Sequence, residues 1–239
     1  GLAIRTPLGI IVHTGDFKLS HTSIDGMATD VNQFARYGEE GVLALLSDST
    51  NVESRGYTVS DAEIGDSLAR ICKKCPGRIL VALFASNIGR IQQIADIADV
   101  SGRKIVFNGR SIEISVNIAR QLGYLKLPEG MEIDIDEIDQ YSDDEIFIVT
   151  TGSQGEPMSA LARMASGSHK QIRIRPDDTI ILSSKFIPGN EKAITGIIND
   201  LYRRGADVIY EKIARIHVSG HAFQEELKMM IRLIKPRFF

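Results

Sequence analysis

Two aspartates in this sequence each follow an apolar segment. A carboxylate at the end of a buried strand usually binds another group. Asp16, in "HTGDF", comes after the apolar run from Gly9 to Val12, and Asp48, in "SDSTN", comes after the run from Val42 to Ser47. A carboxylate at the end of a buried strand suits metal ligation or the orientation of a ligand. These groups are far apart in sequence, so they do not by themselves declare a metal site.

Two histidines form the second candidate. His217 and His221 bracket a Ser-Gly turn in "HVSGHA", and a helical pattern, "FQEELKMMIRLI", begins directly afterwards. Histidines at a helix N-terminus suit phosphate binding or proton transfer. A purely structural role for the pair is the alternative.

Several other loops are rich in hydroxyl, amide and glycine residues, namely "FASN", "TTGSQGE" and "SSKFIPGNE". Such groups bind phosphodiester oxygens, although the same residues also end strands through ordinary turn chemistry. Placed along one edge of a sheet, they would form a groove for a polyanion. The net charge of −3 argues against binding of nucleic acid by bulk attraction alone, but not against a local groove. The acidic run 129–145 and the basic run 163–175 are interpreted as solvated faces.

The two cysteines, Cys72 and Cys75, close a predicted helix just before Pro76. A thioredoxin-like pair would lie at a helix N-terminus, because the C-terminal end disfavours a thiolate. A structural zinc would need two further ligands, and no second cysteine pair exists. We therefore expect reduced thiols in a cytoplasmic protein. No apolar run approaches the roughly 18 residues of a membrane span, and the first residues show no basic-then-apolar pattern, so we expect neither a membrane protein nor an exported one.

Strand-like and helix-like segments must position these loops, and they alternate regularly along the chain. Fully apolar strands such as "RILVALFAS", "EIFIVTTG" and "TIILSS" alternate with amphipathic helical patterns, for example "SIEISVNIARQLG". This alternation predicts an α/β fold with a parallel sheet covered on both faces, whose ligands bind beyond the carboxyl ends of the strands. No loop matches a dinucleotide fingerprint, a P-loop or a nucleophile elbow.

Seven motifs, taken in order, resemble bacterial ribonuclease J: "HTGDFK", "LLSDSTN", "FASN", "FNGRS", "TTGSQGEP", "IPGNE" and "HVSGHA". The resemblance covers essentially the whole chain. It implies a β-CASP parallel-sheet α/β domain, residues 61–210, inserted in a partial metallo-β-lactamase αββα fold formed by residues 1–60 and 211–239. It also implies that the enzyme hydrolyses single-stranded RNA with two zinc ions, as a 5′→3′ exonuclease that also has endonuclease activity. The full-length protein is expected to be a homo-oligomer that does not associate with a membrane.

The resemblance assigns roles residue by residue. Asp16 matches the metal-bridging aspartate, Asp48 the acidic residue that orients a neighbouring histidine, and His221 the catalytic histidine near the scissile phosphate. The remaining matches contact RNA: Ser86, Asn87 and Ile88 in one loop, and His217, Val218, Ser219, Gly220 and His221 in the other.

The sequence also departs from the family pattern. The metal motif HxHxDH is absent, as is the ligand histidine expected before "TPLG", and the third β-CASP histidine is expected after Phe239. We therefore expect the chain to be the central fragment of such an enzyme, inactive by itself. Since Asp16 would be the one remaining ligand, we expect no zinc in the fragment. A non-catalytic nucleic-acid-binding α/β module that uses the same loops is the alternative function.

Overall fold

The computed structural model describes residues 1–19, 29–214 and 216–239. The chain divides into two compact units, Gly1–Glu63 together with Val218–Phe239, and Ile64–His217. Within the described residues, no helix is long and apolar enough to cross a membrane.

The helices and strands follow one another in the order β1 (Leu2–Thr6), β2 (Gly9–His13), α1 (Val31–Glu40), β3 (Val42–Leu46), α2 (Asp61–Cys72), β4 (Ile79–Ala82), α3 (Ile88–Val100), β5 (Lys104–Asn108), α4 (Arg110–Gln121), β6 (Ile146–Thr150), α5 (Ala160–Ser166), β7 (Thr179–Leu182), α6 (Glu191–Arg203), β8 (Asp207–Ile209) and α7 (Gln224–Ile234). Two short 3₁₀ helices, Ile135–Gln140 and Asp143–Glu145, precede β6.

The first unit contains a three-stranded sheet in the order β1-β2-β3. β1 pairs with β2 in an antiparallel hairpin, and β2 pairs with β3 in parallel. The buried side chains of Val12 and Leu45 on this sheet form one core with Met230 and Ile234 of α7. Because β2 and β3 are parallel neighbours, the segments that follow them begin at the same edge of the sheet.

The second unit is built on a five-stranded sheet in the order β5-β6-β4-β7-β8, and every pair in it is parallel. All residues of β4, β6 and β7 are buried. Helices α3 and α4 pack against β5, and α6 packs against β8. The predicted α/β fold with a parallel sheet is confirmed in this unit, although the edge strands β5 and β8 are not wholly apolar, since they contain Lys104 and Asp207.

Two expectations about the loops need correction. The candidate loops do not share one sheet, because Asp16 and Asp48 follow strands of the three-stranded sheet while "FASN" follows a strand of the other. "HVSGHA" does not follow a strand either, since β8 ends at Ile209 and the described residues from there to His221 form turns and irregular structure.

The acidic and basic runs interact with each other and are not two independent solvated faces. Arg175 forms ion pairs with Asp139 at 2.7 Å and with Asp143 at 2.5 Å. The amide nitrogen of Gln171 donates to Asp136 at 3.0 Å. The acidic run therefore belongs to the folded structure, and part of the positive charge of the basic run is neutralised by ion pairs with it.

Candidate functional site

The adjacent ends of β2 and β3 bring Asp16 and Asp48 together in the first unit. The backbone N–H of Thr14 donates to the carbonyl of Leu46 at 3.0 Å, which extends the strand pairing by one residue. The hydroxyl of Thr14 then accepts from the backbone N–H of Asp48 at 2.9 Å. Gly15 follows with φ of +61°, a left-handed conformation that glycine adopts without strain, and it turns the chain so that Asp16 is exposed.

The Asp48 carboxylate is buried and fully engaged, with its side chain only 5% exposed. Oδ1 accepts from the backbone N–H of Thr50 at 3.0 Å and from its hydroxyl at 2.7 Å. Oδ2 accepts from the backbone N–H of Phe17 at 3.5 Å and pairs with Nδ1 of His221 at 2.8 Å. Although burial raises the pKa of Asp48, the hydrogen bonds from Thr50 and His221 outweigh burial and hold this pKa below its usual value. Asp48 is therefore an ionised acceptor.

The pairing with Asp48 fixes the orientation of the His221 ring. A histidine that donates Nδ1–H to a carboxylate presents Nε2 to a substrate or a metal. The His221 side chain is 32% exposed, so its ring lies partly at the surface. The pairing is compatible with the role predicted for Asp48, orientation of a neighbouring histidine, and that role stays a prediction.

Asp16 lies beside this pair. Ligand atoms of Asp16, Asp48 and His221 all lie within 4.8 Å of one another. A cavity of about 460 Å³ opens at the same place and is lined by Asp16 and Asp48, with Ser47, His13 and Phe239 around them. The fold therefore places a second carboxylate and an imidazole, from residues distant in sequence, beside Asp16. Neither was predicted to bind metal, so the expectation that Asp16 is the one remaining ligand stays a prediction.

The donor chemistry suits zinc, which binds oxygen from carboxylates and nitrogen from histidine. The three groups are not equally available to a metal, because the Asp48 carboxylate accepts three hydrogen bonds from Phe17 and Thr50 and also pairs with Nδ1 of His221. The exposed carboxylate of Asp16 is thus the group best placed to bind a metal directly.

Asn51 organises the "HVSGHA" loop and was not identified from the sequence. Its buried amide nitrogen donates to the hydroxyl oxygen of Ser219 at 2.6 Å and to the carbonyl of His221 at 3.2 Å. The Ser219 oxygen also accepts from the backbone N–H of His221 at 3.0 Å. With two hydrogen bonds accepted, Ser219 has its own O–H left to donate. Asn51 stands three residues after Asp48 in "SDSTN", and that position was the available signal.

The other predicted RNA-binding loop belongs to the second unit and lies at the carboxyl end of β4. Ser86 and Asn87 are exposed, and Ile88 is half-buried as the first residue of α3. The side-chain oxygen of Asn87 caps this helix by accepting from the backbone N–H of Arg90 at 3.1 Å. Its amide nitrogen is therefore the atom that can donate to a ligand.

Gln154 connects two further loops at the same edge of the five-stranded sheet, and it too was missed. Its amide nitrogen donates to the hydroxyl of Ser184 at 3.0 Å and to the carbonyl of Lys185 at 2.8 Å. Its oxygen accepts from the backbone N–H of Ile187 at 3.0 Å. The loops after β6 and β7, which flank β4, are thereby fixed to each other.

The remaining residues of the "HVSGHA" loop differ in exposure. His217 and Val218 are half-buried, and Gly220 is exposed. Cys72 and Cys75 are free thiols. Burial raises the pKa of Cys72 to about 12, with the neighbouring Cys75 adding to the effect, and burial also raises the pKa of Cys75. Neither thiol has the properties of a reactive cysteine.

Two family models match the chain. The model described as the β-CASP domain of ribonuclease J matches residues 76–201, which is more than half of the sequence. A model described as the RNA specificity domain of Zn-dependent metallo-hydrolases matches residues 205–238.

Curated relatives match over the full length of the chain. It is 49% identical over 238 residues to ribonuclease J of Helicobacter pylori, covering 100% of this chain and 34% of that protein. It is 48% identical over 239 residues to ribonuclease J of Thermus thermophilus, covering 100% of this chain and 42% of that protein. For ribonuclease J of Synechocystis the identity is 46% over 238 residues, with 100% and 37% covered. The chain thus spans well under half the length of these relatives.

Proposed function

This chain belongs to the ribonuclease J family, and from that premise we propose that it is the RNA-binding central part of a zinc-dependent ribonuclease that acts on single-stranded RNA. The observation that carries the proposal is the pairing of Asp48 with His221 at 2.8 Å beside Asp16. Such a carboxylate–imidazole pair next to a further carboxylate suits hydrolysis of a phosphodiester.

In the proposed reaction His221 acts at the scissile phosphate. Asp48 holds Nδ1, so that Nε2 faces the phosphate and can stabilise its charge or transfer a proton to the leaving oxygen. The hydroxyl of Ser219, fixed by Asn51, donates to a phosphate oxygen. In the second unit, Ser86 and the amide nitrogen of Asn87 supply further donors. These neutral donors suit a chain with a net charge of −3.

Asp16 would supply an oxygen ligand to zinc. When bound, zinc polarises the phosphate and lowers the pKa of a coordinated water. We propose two zinc ions for the full-length protein, with the remaining ligands supplied by parts of the protein that correspond to the rest of its longer relatives. The trio of Asp16, Asp48 and His221 is compatible with this role.

We assign the domains as the resemblance implies, with residues 61–210 as the β-CASP domain and residues 1–60 and 211–239 as metallo-β-lactamase sequence. The compact unit Ile64–His217 and the family match over residues 76–201 support this division. The 5′→3′ exonuclease activity with endonuclease capacity, the homo-oligomer and the cytoplasmic location are proposed with it. The free cysteines support a reducing compartment.

The test uses the native full-length protein and a labelled single-stranded RNA. His221→Ala is expected to lower the turnover number by about 10²–10⁴-fold, the range of general acid–base catalysis, while zinc content stays at the wild-type level. Zinc is measured by elemental analysis and RNA affinity by filter binding.

Loss of zinc in His221→Ala with RNA affinity intact would show that the histidine is a metal ligand, against the role assigned here. A wild-type protein that binds RNA but does not cleave it would support the alternative, a non-catalytic nucleic-acid-binding module.

A further inference from the structure

Glu226 is a buried carboxylate that the proposed reaction does not use. It lies in the first turn of α7, five residues after His221, and is 1% exposed. A buried carboxylate is costly unless its oxygens are satisfied by hydrogen bonds. Among the residues that the structure describes, four groups satisfy it, and they lie in three separate segments of the first unit.

The two carboxylate oxygens divide these segments between them. Oε1 accepts from the backbone N–H of Leu19 at 3.0 Å and from the hydroxyl of Thr58 at 2.7 Å. Oε2 accepts from the backbone N–H of Thr58 and from that of Phe223, each at 2.9 Å. Leu19 comes three residues after Asp16, and Phe223 comes two residues after His221. One side chain therefore binds the backbone next to both candidate catalytic groups.

We propose that Glu226 is a positioning residue that holds the Asp16 segment in place against the start of α7. The inference rests on the proposed function, because it assigns to Glu226 the alignment of Asp16 with the Asp48–His221 pair. Hydrogen bonds to an ionised carboxylate are stronger than those between neutral groups, so one buried carboxylate can fix three segments. A misplacement of about 1 Å at a reacting group lowers the rate by about 10²-fold.

Glu226→Gln tests this with little change of shape. If the new amide nitrogen replaces Oε2, it faces the backbone N–H groups of Thr58 and Phe223. Both of these are donors and cannot act as acceptors, so two hydrogen bonds are lost. If it replaces Oε1, the Thr58 hydroxyl can turn to accept from it, and only the N–H of Leu19 loses its acceptor. The glutamine therefore adopts the second arrangement. It releases the Asp16 segment and keeps the bonds at the start of α7.

The expected result is a split between kinetic constants. In the full-length protein, Glu226→Gln lowers kcat for RNA about 10- to 100-fold and changes KM less than about twofold. Amide hydrogen exchange becomes faster at Leu19 and stays unchanged at Phe223. A variant that were merely destabilised would show faster exchange at both amides.

Two control variants make the comparison specific. Glu225→Gln removes the same charge one residue away on α7, where Glu225 forms a surface ion pair with Lys228 at 2.7 Å. Thr58→Val removes only the hydroxyl donor and leaves three of the four bonds to Glu226 in place. Both controls should keep the wild-type kcat and the wild-type exchange rate at Leu19.

The inference is overturned if Glu226→Gln matches Glu225→Gln in kcat, or if KM rises while kcat is unchanged. Unchanged exchange at Leu19 would also overturn it, and this readout does not require RNA cleavage. Failure of the proposed function appears differently, as a wild-type protein without ribonuclease activity.

Discussion

The amide nitrogen of Asn51 lies 2.6 Å from the hydroxyl oxygen of Ser219, although 168 residues separate them in the sequence. This bond joins the segment after β3 to the loop that carries His221. It also decides what Ser219 can do, because the serine oxygen accepts from Asn51 and from the backbone of His221 and so has its hydrogen free for a phosphate.

Asn51→Asp should reverse this arrangement. A carboxylate at this position accepts the Ser219 O–H and takes away the donor proposed for RNA. We expect KM for single-stranded RNA to rise about tenfold, corresponding to one lost hydrogen bond to a charged group, with a smaller change in kcat. Steady-state kinetics on the full-length protein measure both constants. Ser219→Ala should give a similar rise, and the double variant should be no worse than either single variant, since both remove the same donor. Additive effects would contradict the coupling.

Asp48→Asn should impair turnover more than binding. The amide is nearly isosteric but offers one oxygen where the carboxylate offers two, and it no longer favours the ring orientation and tautomer of His221. We expect kcat to fall by about 10²–10⁴-fold with KM nearly unchanged. Glu40→Gln is a suitable control in the same unit, because it changes the same charge in a surface ion pair with Arg5 at 2.6 Å. Equal activity of Asp48→Asn and the control would remove Asp48 from the reaction.

The sequence predicted the five-stranded sheet well because its physical cause is local. Strands such as Ile79–Ala82 and Ile146–Thr150 are buried at every position and apolar at nearly every one, which is required only where both faces of a sheet are covered. The hairpin strand Leu2–Thr6 was not predicted, because its residues are exposed or half-buried and carry little periodic signal. The helix Val31–Glu40 was also missed, although Val31, Phe34 and Tyr37 recur at helical spacing and pack against the core of the first unit.

The site was predicted only in part, for a different reason. The residues themselves marked Asp16, Asp48 and His221 as separate signals, and only the family resemblance implied that Asp48 orients a histidine. Their proximity depends on the pairing of β2 with β3 and on the return of the chain at α7. The hydrophobic periodicity of a sequence is a local pattern and does not predict which distant segments pair. Glu226 was not identified, because a buried glutamate cannot be distinguished in a single sequence from a surface one such as its neighbour Glu225.

Cys72 should be unreactive in the folded protein. Burial raises the pKa of its thiol from 9.0 to about 12, so the thiolate is scarce at neutral pH. We expect iodoacetamide at pH 8 to leave Cys72 unmodified unless the protein is unfolded, as read by peptide mass spectrometry. Because the pKa of this thiol is higher in the folded state than in the unfolded state, its ionisation does not lower the free energy of unfolding below about pH 9. The free energy of unfolding then falls as the pH rises towards 12. Cys72→Ala should reduce this alkaline loss of stability. Rapid labelling of Cys72 under native conditions would contradict its burial.

Asn87 allows its two roles to be separated, because its oxygen caps α3 and its nitrogen is the proposed donor to RNA. Asn87→Asp keeps the cap and replaces the donor by a negative charge. We expect the free energy of unfolding to stay within about 0.5 kcal/mol of wild type while RNA affinity falls at least tenfold. Asn87→Ala removes both groups, so it should lose about 1 kcal/mol of stability and also bind RNA more weakly. Ser86→Ala, outside the cap, should weaken binding with little loss of stability. Thermal unfolding measures the change in stability, and filter binding measures the change in RNA affinity.

Wild-type RNA affinity in Asn87→Asp would show that this loop binds no phosphate.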